Sequence, residues 1–493
     1  MKRALMPGRL RPGAAWAAMC HRCPVARRTK ILATLGPSTD APGRLDQLVA
    51  AGIDGGRINC AHDGPEQWGA RATRLRAAAQ RAGRPLALVM DLAGPKMRLG
   101  AAAEREVARG ERVVFAPGED GDDGSVPTAW PGLAEAVTVG RSEIVIGDGT
   151  PRLRVVDARP GEGTVTALVE RPGRIGPRKG IHVTFAGSPA SAPAERDLAD
   201  LEVACEIGAD VVALSFVRSG VDVRRLRGAL GALGSEARVI AKIERVDAYE
   251  ALEEIIDVSD GVMVARGDLG VEAGVARVPL IQKDVIRRAG AQGKMTVTAT
   301  QMLESMLSQP EPTRAEAADV ANAILDGTSA VMLSGETSVG RFPAEAVAAM
   351  AEIAAEAERG VPQSLGLLSP VARRAEAVMQ SAVHLAQQVG AVALVVTTVS
   401  GGAARAAAKY RPRPPVIALS EDQRVRRQLA LEWGVMPGQL PPRPASAEQL
   451  AALMLERARA VGGLESHDVV VLAHGPPGAG GGQTNTVAVR EIP

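Results

Sequence analysis

The chain has 493 residues, 46% of them hydrophobic, enough to bury more than one core and, at roughly 150 residues per domain, about three domains. Lys and Arg number 58 against 56 Asp and Glu, and the net charge of +2 gives no electrostatic case for a nucleic-acid or membrane partner. Four Cys make no disulfide framework in so long a chain, no apolar run reaches the ~18 residues of a transmembrane helix, and a reducing cytoplasm is the simplest setting.

Only 8 of the basic residues are Lys against 50 Arg, so a position that stays Lys points to a need for a compact ammonium. Residues 1–28 carry seven basic side chains, no acidic one and a short apolar patch at 14–19. They read as a disordered N-terminal extension or a start placed too far upstream, with an organelle transit peptide as the alternative; the lack of a longer apolar core argues against secretion. Cys20 and Cys23 form a lone C-x-x-C beside His21, and without a second pair they are not read as a metal site.

From Thr29 the chain alternates. Thr29–Leu35 is strand-like and closes on Gly36-Pro37-Ser38, with Ser38 placed to cap a helix carrying Leu45, Leu48 and Val49. Residues 52–59 and 86–91 are further apolar runs ending in polar residues, with a helix-length spacer between them, a spacing that implies parallel strands. Between 99 and 179 the rhythm changes to short alternating segments and Gly- and Pro-rich turns, as expected of a small inserted β domain. Its Gly147-Asp148-Gly149 turn is ordinary hairpin chemistry, or in a lid a carboxylate near a nucleotide-bound cation.

Alternation resumes at Gly180, with strand candidates at 181–184, 211–216, 239–243, 261–264, 295–299 and 330–333. With the three early runs these make nine, of which eight would close a (β/α)8 barrel of about 250 residues in two pieces around the insertion. On that architecture Arg57, Asn59, Asp91, Lys242, Glu244, Asp268, Thr300 and Glu336 fall on one rim. Taken singly, Lys242 would be a surface lysine, and Glu244 and Asp268 helix N-caps. Together they place two carboxylates and an ammonium at neighbouring strand ends, which suits a hard divalent cation that also holds a phosphate.

Several motifs then resemble the pyruvate kinase family. They are Thr29-Lys30-Ile31, Arg57-Ile58-Asn59-Cys60-Ala61-His62, Asp91-Leu92-Ala93-Gly94-Pro95-Lys96-Met97-Arg98, Lys179-Gly180, Ala241-Lys242-Ile243-Glu244 and Met263-Val264-Ala265-Arg266-Gly267-Asp268-Leu269-Gly270. Ala299-Thr300-Gln301-Met302, Pro312-Thr313-Arg314-Ala315-Glu316 and Met332-Leu333-Ser334-Gly335-Glu336-Thr337 continue the match, which spans roughly 29–490 in order.

The resemblance implies an α/β fold: a (β/α)8 TIM barrel from 29–98 and 180–360, an inserted small β-barrel lid domain at 99–179, and a C-terminal α/β domain at 368–493. It implies phosphoryl transfer from phosphoenolpyruvate to ADP. Glu244 and Asp268 would hold Mg2+ or Mn2+, and Gly267 and Asp268 backbone N–H groups with Thr300 would hold the substrate. Lys242 would face the transferring phosphoryl group, Arg57 would clamp the phosphate, and Asn59, His62, Arg98 and Lys179 would line the nucleotide side. A homotetramer is also implied.

Departures from the family pattern carry expectations of their own. Ala61, Leu92 and Lys96 stand where K+-requiring members have Ser, Thr and Glu, so the monovalent-cation region of Asn59, Asp91, Leu92 and Lys96 is expected to use the Lys96 ammonium in place of K+. Ile181-His182-Val183-Thr184 replaces the usual Val-Asn-Leu-Pro. In the C-terminal domain, Thr397-Thr398-Val399-Ser400-Gly401-Gly402 lies between a strand and a helix as a phosphate cradle for a phosphorylated effector, with Gly475–Gly482 over it. The alternatives are a Mg2+/pyruvate-enolate aldolase-type barrel, which would not need the lid, Lys242 or Lys179, and a catalytically silent regulatory paralogue, which would not keep Arg57, Lys242, Glu244, Asp268 and Thr300 together.

Overall fold

The structure is a computed structural model that describes residues 27–95, 97–101, 103–120, 124–147, 149–184, 192–360, 374–441, 446–476, 478 and 480–493. Two compact units divide the chain, one of Ile31–Ile353 and the other of Ala354–Pro493 with the segment ending at Lys30.

Eight parallel strands close the barrel of the first unit, in the order Lys30–Thr34, Ala330–Leu333, Met295–Ala299, Gly261–Ala265, Arg238–Ile243, Val211–Leu214, Ala87–Leu92 and Gly55–Asn59. Helices outside and packed side chains inside cover both faces, which is why the strands read as continuous apolar runs and not as alternating ones. At Gly261 a Cβ would lie 2.8 Å from the Met295 carbonyl of the next strand, so the close approach there needs glycine. Thr313 and Glu316 form the capping box of helix Arg314–Leu325: Thr313 Oγ1 accepts the Glu316 N–H, and Glu316 Oε2 accepts the Thr313 N–H. The cap expected of Ser38 is not made. Its hydroxyl donates to Gly340 O, and helix Arg44–Ala51 starts after Gly43 in a left-handed conformation.

Of the nine strand candidates, Ile181–Thr184 is the one outside the barrel. It pairs antiparallel with Glu143–Ile146 at the edge of a six-stranded sheet that continues through Arg152–Arg159, Thr164–Arg171, Arg112–Pro117 and Val126–Thr128. A separate pair joins Gly173–Ile175 to Arg105–Val107. The inserted region has its own core of Phe115, Ile144, Ile146, Leu153, Val155, Val165, Ile181 and Val183. Its two connections to the barrel run side by side, with Arg98 bridged to Gly180 and Leu99 N–H donating to Lys179 O. Asp148 and Lys96 lie outside the described residues.

The second unit carries a five-stranded sheet in the order Val435–Gln439, Val416–Ser420, Ala393–Thr397, Val469–His474 and Thr486–Glu491, parallel except for the last. Separate apolar clusters cover its two faces, one with Met379, Ala404 and Leu429, the other with Leu450, Met454 and Ala458. No helix among the described residues is long and apolar enough to cross a membrane.

Candidate active site

The carboxyl ends of the barrel strands bring Arg57, Asp91, Ser215, Lys242 and Glu244 into one buried network. Lys242 Nζ donates to Ser215 Oγ at 2.6 Å and lies 3.0 Å from Glu244 Oε1 and 3.2 Å from Asp91 Oδ1. Arg57 donates from Nε to Asp91 Oδ2 at 2.7 Å, pairs with the same oxygen through Nη2, and donates from Nη1 to Thr34 Oγ1. Asp91 is only 1% exposed, so its carboxylate joins the two cations from inside the barrel. Sequence reading missed Ser215, whose hydroxyl also donates to Leu92 O; its only signal is a polar residue one position beyond strand Val211–Leu214.

Burial disfavours the Lys242 charge, but Asp91 and Glu244 overcome it and hold the ammonium above the usual lysine range. For Asp91, burial is likewise outweighed by Lys242 and Arg57, and its carboxyl stays below the usual range. Glu244 goes the other way: burial and the charge of Asp268 raise it, against Lys242 and the Phe216 N–H that Oε2 accepts at 2.7 Å.

That repulsion is the test of metal fit. Asp268, in the first turn of helix Arg266–Ala273, lies close enough to Glu244, just beyond a strand end, to raise it, so the two carboxylates offer oxygen donors to one place. Mg2+ commonly takes one or two carboxylates, with substrate phosphate and water completing its shell, so these residues fit it. Among the described residues no group of three or more His, Cys, Asp or Glu forms a complete protein cage.

Beside the carboxylates, Thr300 Oγ1 accepts the Gly267 N–H at 2.9 Å. Thr300 and Gln301 have φ of 68° and 52°, a left-handed conformation that is unfavourable for a β-branched residue and persists only when neighbours impose it. Arg266 imposes it: its guanidinium donates to Thr300 O and Gln301 O and pairs with Asp319 at 2.6 Å. A Cβ on Gly267 would meet Thr300 Oγ1 at 3.7 Å, ordinary contact, so protein packing does not require glycine there.

The other expected site residues are more dispersed. Arg98 and Lys179 stand together where the lid joins the barrel, with their side chains on Arg178 O and Arg174 O. At the end of strand Gly55–Asn59, Asn59 Oδ1 accepts the Ala61 N–H, and on the loop that follows the His62 carbonyl accepts the Trp68 indole N–H. Glu336 is a backbone pin: its oxygens accept the Leu303 and Ser334 N–H groups. In the second unit, Thr397, Thr398, Ser400, Gly401 and Gly402 link strand Ala393–Thr397 to helix Gly402–Lys409, Arg405 donates to Ser400 O, and a Cβ on Gly481 would lie 3.7 Å from Ser400 Oγ.

The family model "Pyruvate kinase, barrel domain" matches residues 26–347, and "Pyruvate kinase, alpha/beta domain" matches 376–490. The chain is 39% identical over 481 residues to a pyruvate kinase of Geobacillus stearothermophilus, covering 94% of this chain and 80% of that one. It is 36% identical over 476 residues to one of Clostridium acetobutylicum, with 94% and 100% covered, and 38% identical over 474 residues to one of Mycobacterium tuberculosis, with 95% and 99% covered. The chain belongs to the pyruvate kinase family, the phosphotransferases that make pyruvate and ATP from phosphoenolpyruvate and ADP.

Proposed function

We propose that the chain performs this reaction at the barrel rim with Lys242, Arg57 and Thr300 as its catalytic residues. The observation that carries the assignment is the Lys242 ammonium, buried and held charged by Asp91 and Glu244 beside the Glu244 and Asp268 carboxylate pair. A lysine kept protonated acts as fixed charge, and a loose phosphoryl transition state asks for positive charge on moving oxygens. Arg57 has five N–H donors, of which Asp91 and Thr34 engage three, so a guanidinium of set orientation keeps two for the substrate phosphate.

Gly267 leaves room for close approach, and its N–H, which Thr300 Oγ1 accepts at 2.9 Å, turns to the substrate when the substrate is bound, beside the Asp268 N–H and the Thr300 hydroxyl. The Thr300 hydroxyl proton is then available, through water, to the enolate carbon. Glu244 and Asp268 would hold Mg2+ or Mn2+, which supplies positive charge beside the phosphoryl and enolate oxygens. Asn59, His62, Arg98 and Lys179 line the nucleotide side, and the inserted region, which runs on from 99–179 to take in strand Ile181–Thr184, is the lid on the barrel. Lys96 takes the place of K+ beside Asn59, Asp91 and Leu92. In the 368–493 domain, the loop of Thr397, Thr398, Ser400, Gly401 and Gly402 receives a phosphorylated effector. The enzyme works in the cytoplasm as a homotetramer.

The test is ADP-dependent pyruvate formation from phosphoenolpyruvate by wild type and Lys242→Met. Activity in wild type and a loss of at least about a hundredfold in the variant are expected, on the scale of a removed oxyanion donor. No activity in either would overturn the assignment.

A further inference from the structure

The lid sheet touches the barrel on the short helix that carries Asp268. His182, on lid strand Ile181–Thr184, places Nε2 3.4 Å from Asp268 Oδ1 in the first turn of helix Arg266–Ala273. Arg152, on lid strand Arg152–Arg159, donates from Nη2 to Val271 O at 3.1 Å near the other end of that helix. Two lid strands thus hold both ends of an eight-residue helix.

His182 faces away from the lid core. Ile181 and Val183 enter the lid core, and the two-residue period of a strand turns His182 to the opposite face. Its side chain is 11% exposed and that of Asp268 26%, so the contact lies in a partly water-excluded seam.

We propose that His182 is a positioning residue for the Asp268 carboxylate and that, with Arg152, it couples the seating of the lid to how tightly the barrel holds a divalent cation. The inference rests on Glu244 and Asp268 being the carboxylates that hold that cation. With its proton on Nε2 the imidazole donates toward Oδ1 and restricts the carboxylate's rotamer, while Arg152 fixes the far end of the helix. Loss of such an outer partner typically weakens metal affinity by about 10–100-fold.

Mn2+ binding to the full-length chain, read from the electron paramagnetic resonance of free Mn2+ without substrate or nucleotide, tests the proposal. His182→Ala should raise the Mn2+ Kd about tenfold or more. His182→Gln keeps an N–H donor and should recover most of the loss. Arg152→Ala should weaken binding at least about threefold, below the 10–100-fold range because Arg152 acts at the far end of the helix. If His182→Ala unfolds, the Gln and Arg152 variants carry the test. Wild-type affinity in His182→Ala with binding lost in Asp268→Ala overturns this inference and leaves the site assignment standing, whereas wild-type affinity in Asp268→Ala overturns the assignment. Equal loss in both His182 variants overturns the donor role, and wild-type affinity in Arg152→Ala overturns the coupling to the lid.

Discussion

Replacing Asp91 by Asn removes one charge from a place where two cations depend on it. Arg57 and Lys242 both pair with this carboxylate, which is 1% exposed, and neither cation can turn to bulk water when it goes. Breaking a buried pair by removing one partner destabilises by about 3–5 kcal/mol. At about 2.1 cal/mol/K of unfolding entropy per residue, the Ile31–Ile353 unit would lose roughly 1.5 °C of Tm per kcal/mol, so a drop of about 4–8 °C is expected. The pH dependence has a definite sign. Because Lys242 and Arg57 hold Asp91 below its usual range despite burial, its contribution is fully present above the unfolded carboxyl pKa of about 3.9 and is lost as pH falls through the lower folded value. Calorimetric melting of wild type and Asp91→Asn between pH 4 and 8 should therefore show a full, constant difference that shrinks only under stronger acid. The Michaelis constant for phosphoenolpyruvate should also rise at least about tenfold, near 1.4 kcal/mol, because Arg57 loses its anchor. A variant melting within 1 °C of wild type, or a difference that grows as pH falls, would refute the reasoning.

Gly267→Ala should melt within about 2 °C of wild type, since its Cβ meets only Thr300 Oγ1 at 3.7 Å, yet weaken phosphoenolpyruvate binding about tenfold by filling the approach; a large drop in Tm with unchanged kinetics would contradict this. Turnover in tetramethylammonium buffer should change little when K+ is added, and activation beyond about tenfold, near 1.4 kcal/mol of barrier, would remove the role given to Lys96. Burial, then the nearby Asp91 charge, pushes the Cys60 thiol above its usual range, so iodoacetamide at pH 8 should leave Cys60 unmodified in the folded chain; labelling that precedes unfolding would count against it.

The barrel was legible because its strands are buried on both faces, which leaves short apolar runs at helix-length intervals. Lys242, Glu244 and Asp268 were legible because each interrupts such a run at the same end. Ile181–Thr184 shows the limit of that signal: four residues, apolar at alternate positions, fit a strand but do not say which sheet accepts them, and the pairing with Glu143–Ile146 is set by a distant stretch of chain. Ser215 escaped notice because a lone hydroxyl after a strand is common, and only the 2.6 Å approach of Lys242 gives it meaning. The sequence places Asp91 beside a monovalent cation, yet its two cationic side-chain partners come from Gly55–Asn59, the next strand on one side, and Arg238–Ile243, the second strand on the other, which no local pattern can report. Glu336 looked like its rim neighbours in sequence and differs in holding two backbone amides.

Closure of the barrel has a temporal side. Thr34 Oγ1 donates to Leu333 O across 299 positions of sequence, and Thr337 Oγ1 donates to Thr34 O beside it. During synthesis at about 5–20 residues per second, strand Lys30–Thr34 would wait roughly 15–60 s with one edge unpaired before its last neighbour exists. Gly55–Asn59 can cover the other edge early, but the exposed side is a β-forming segment with no partner, the kind of edge that chaperones must shield and that pairs with other chains when they do not.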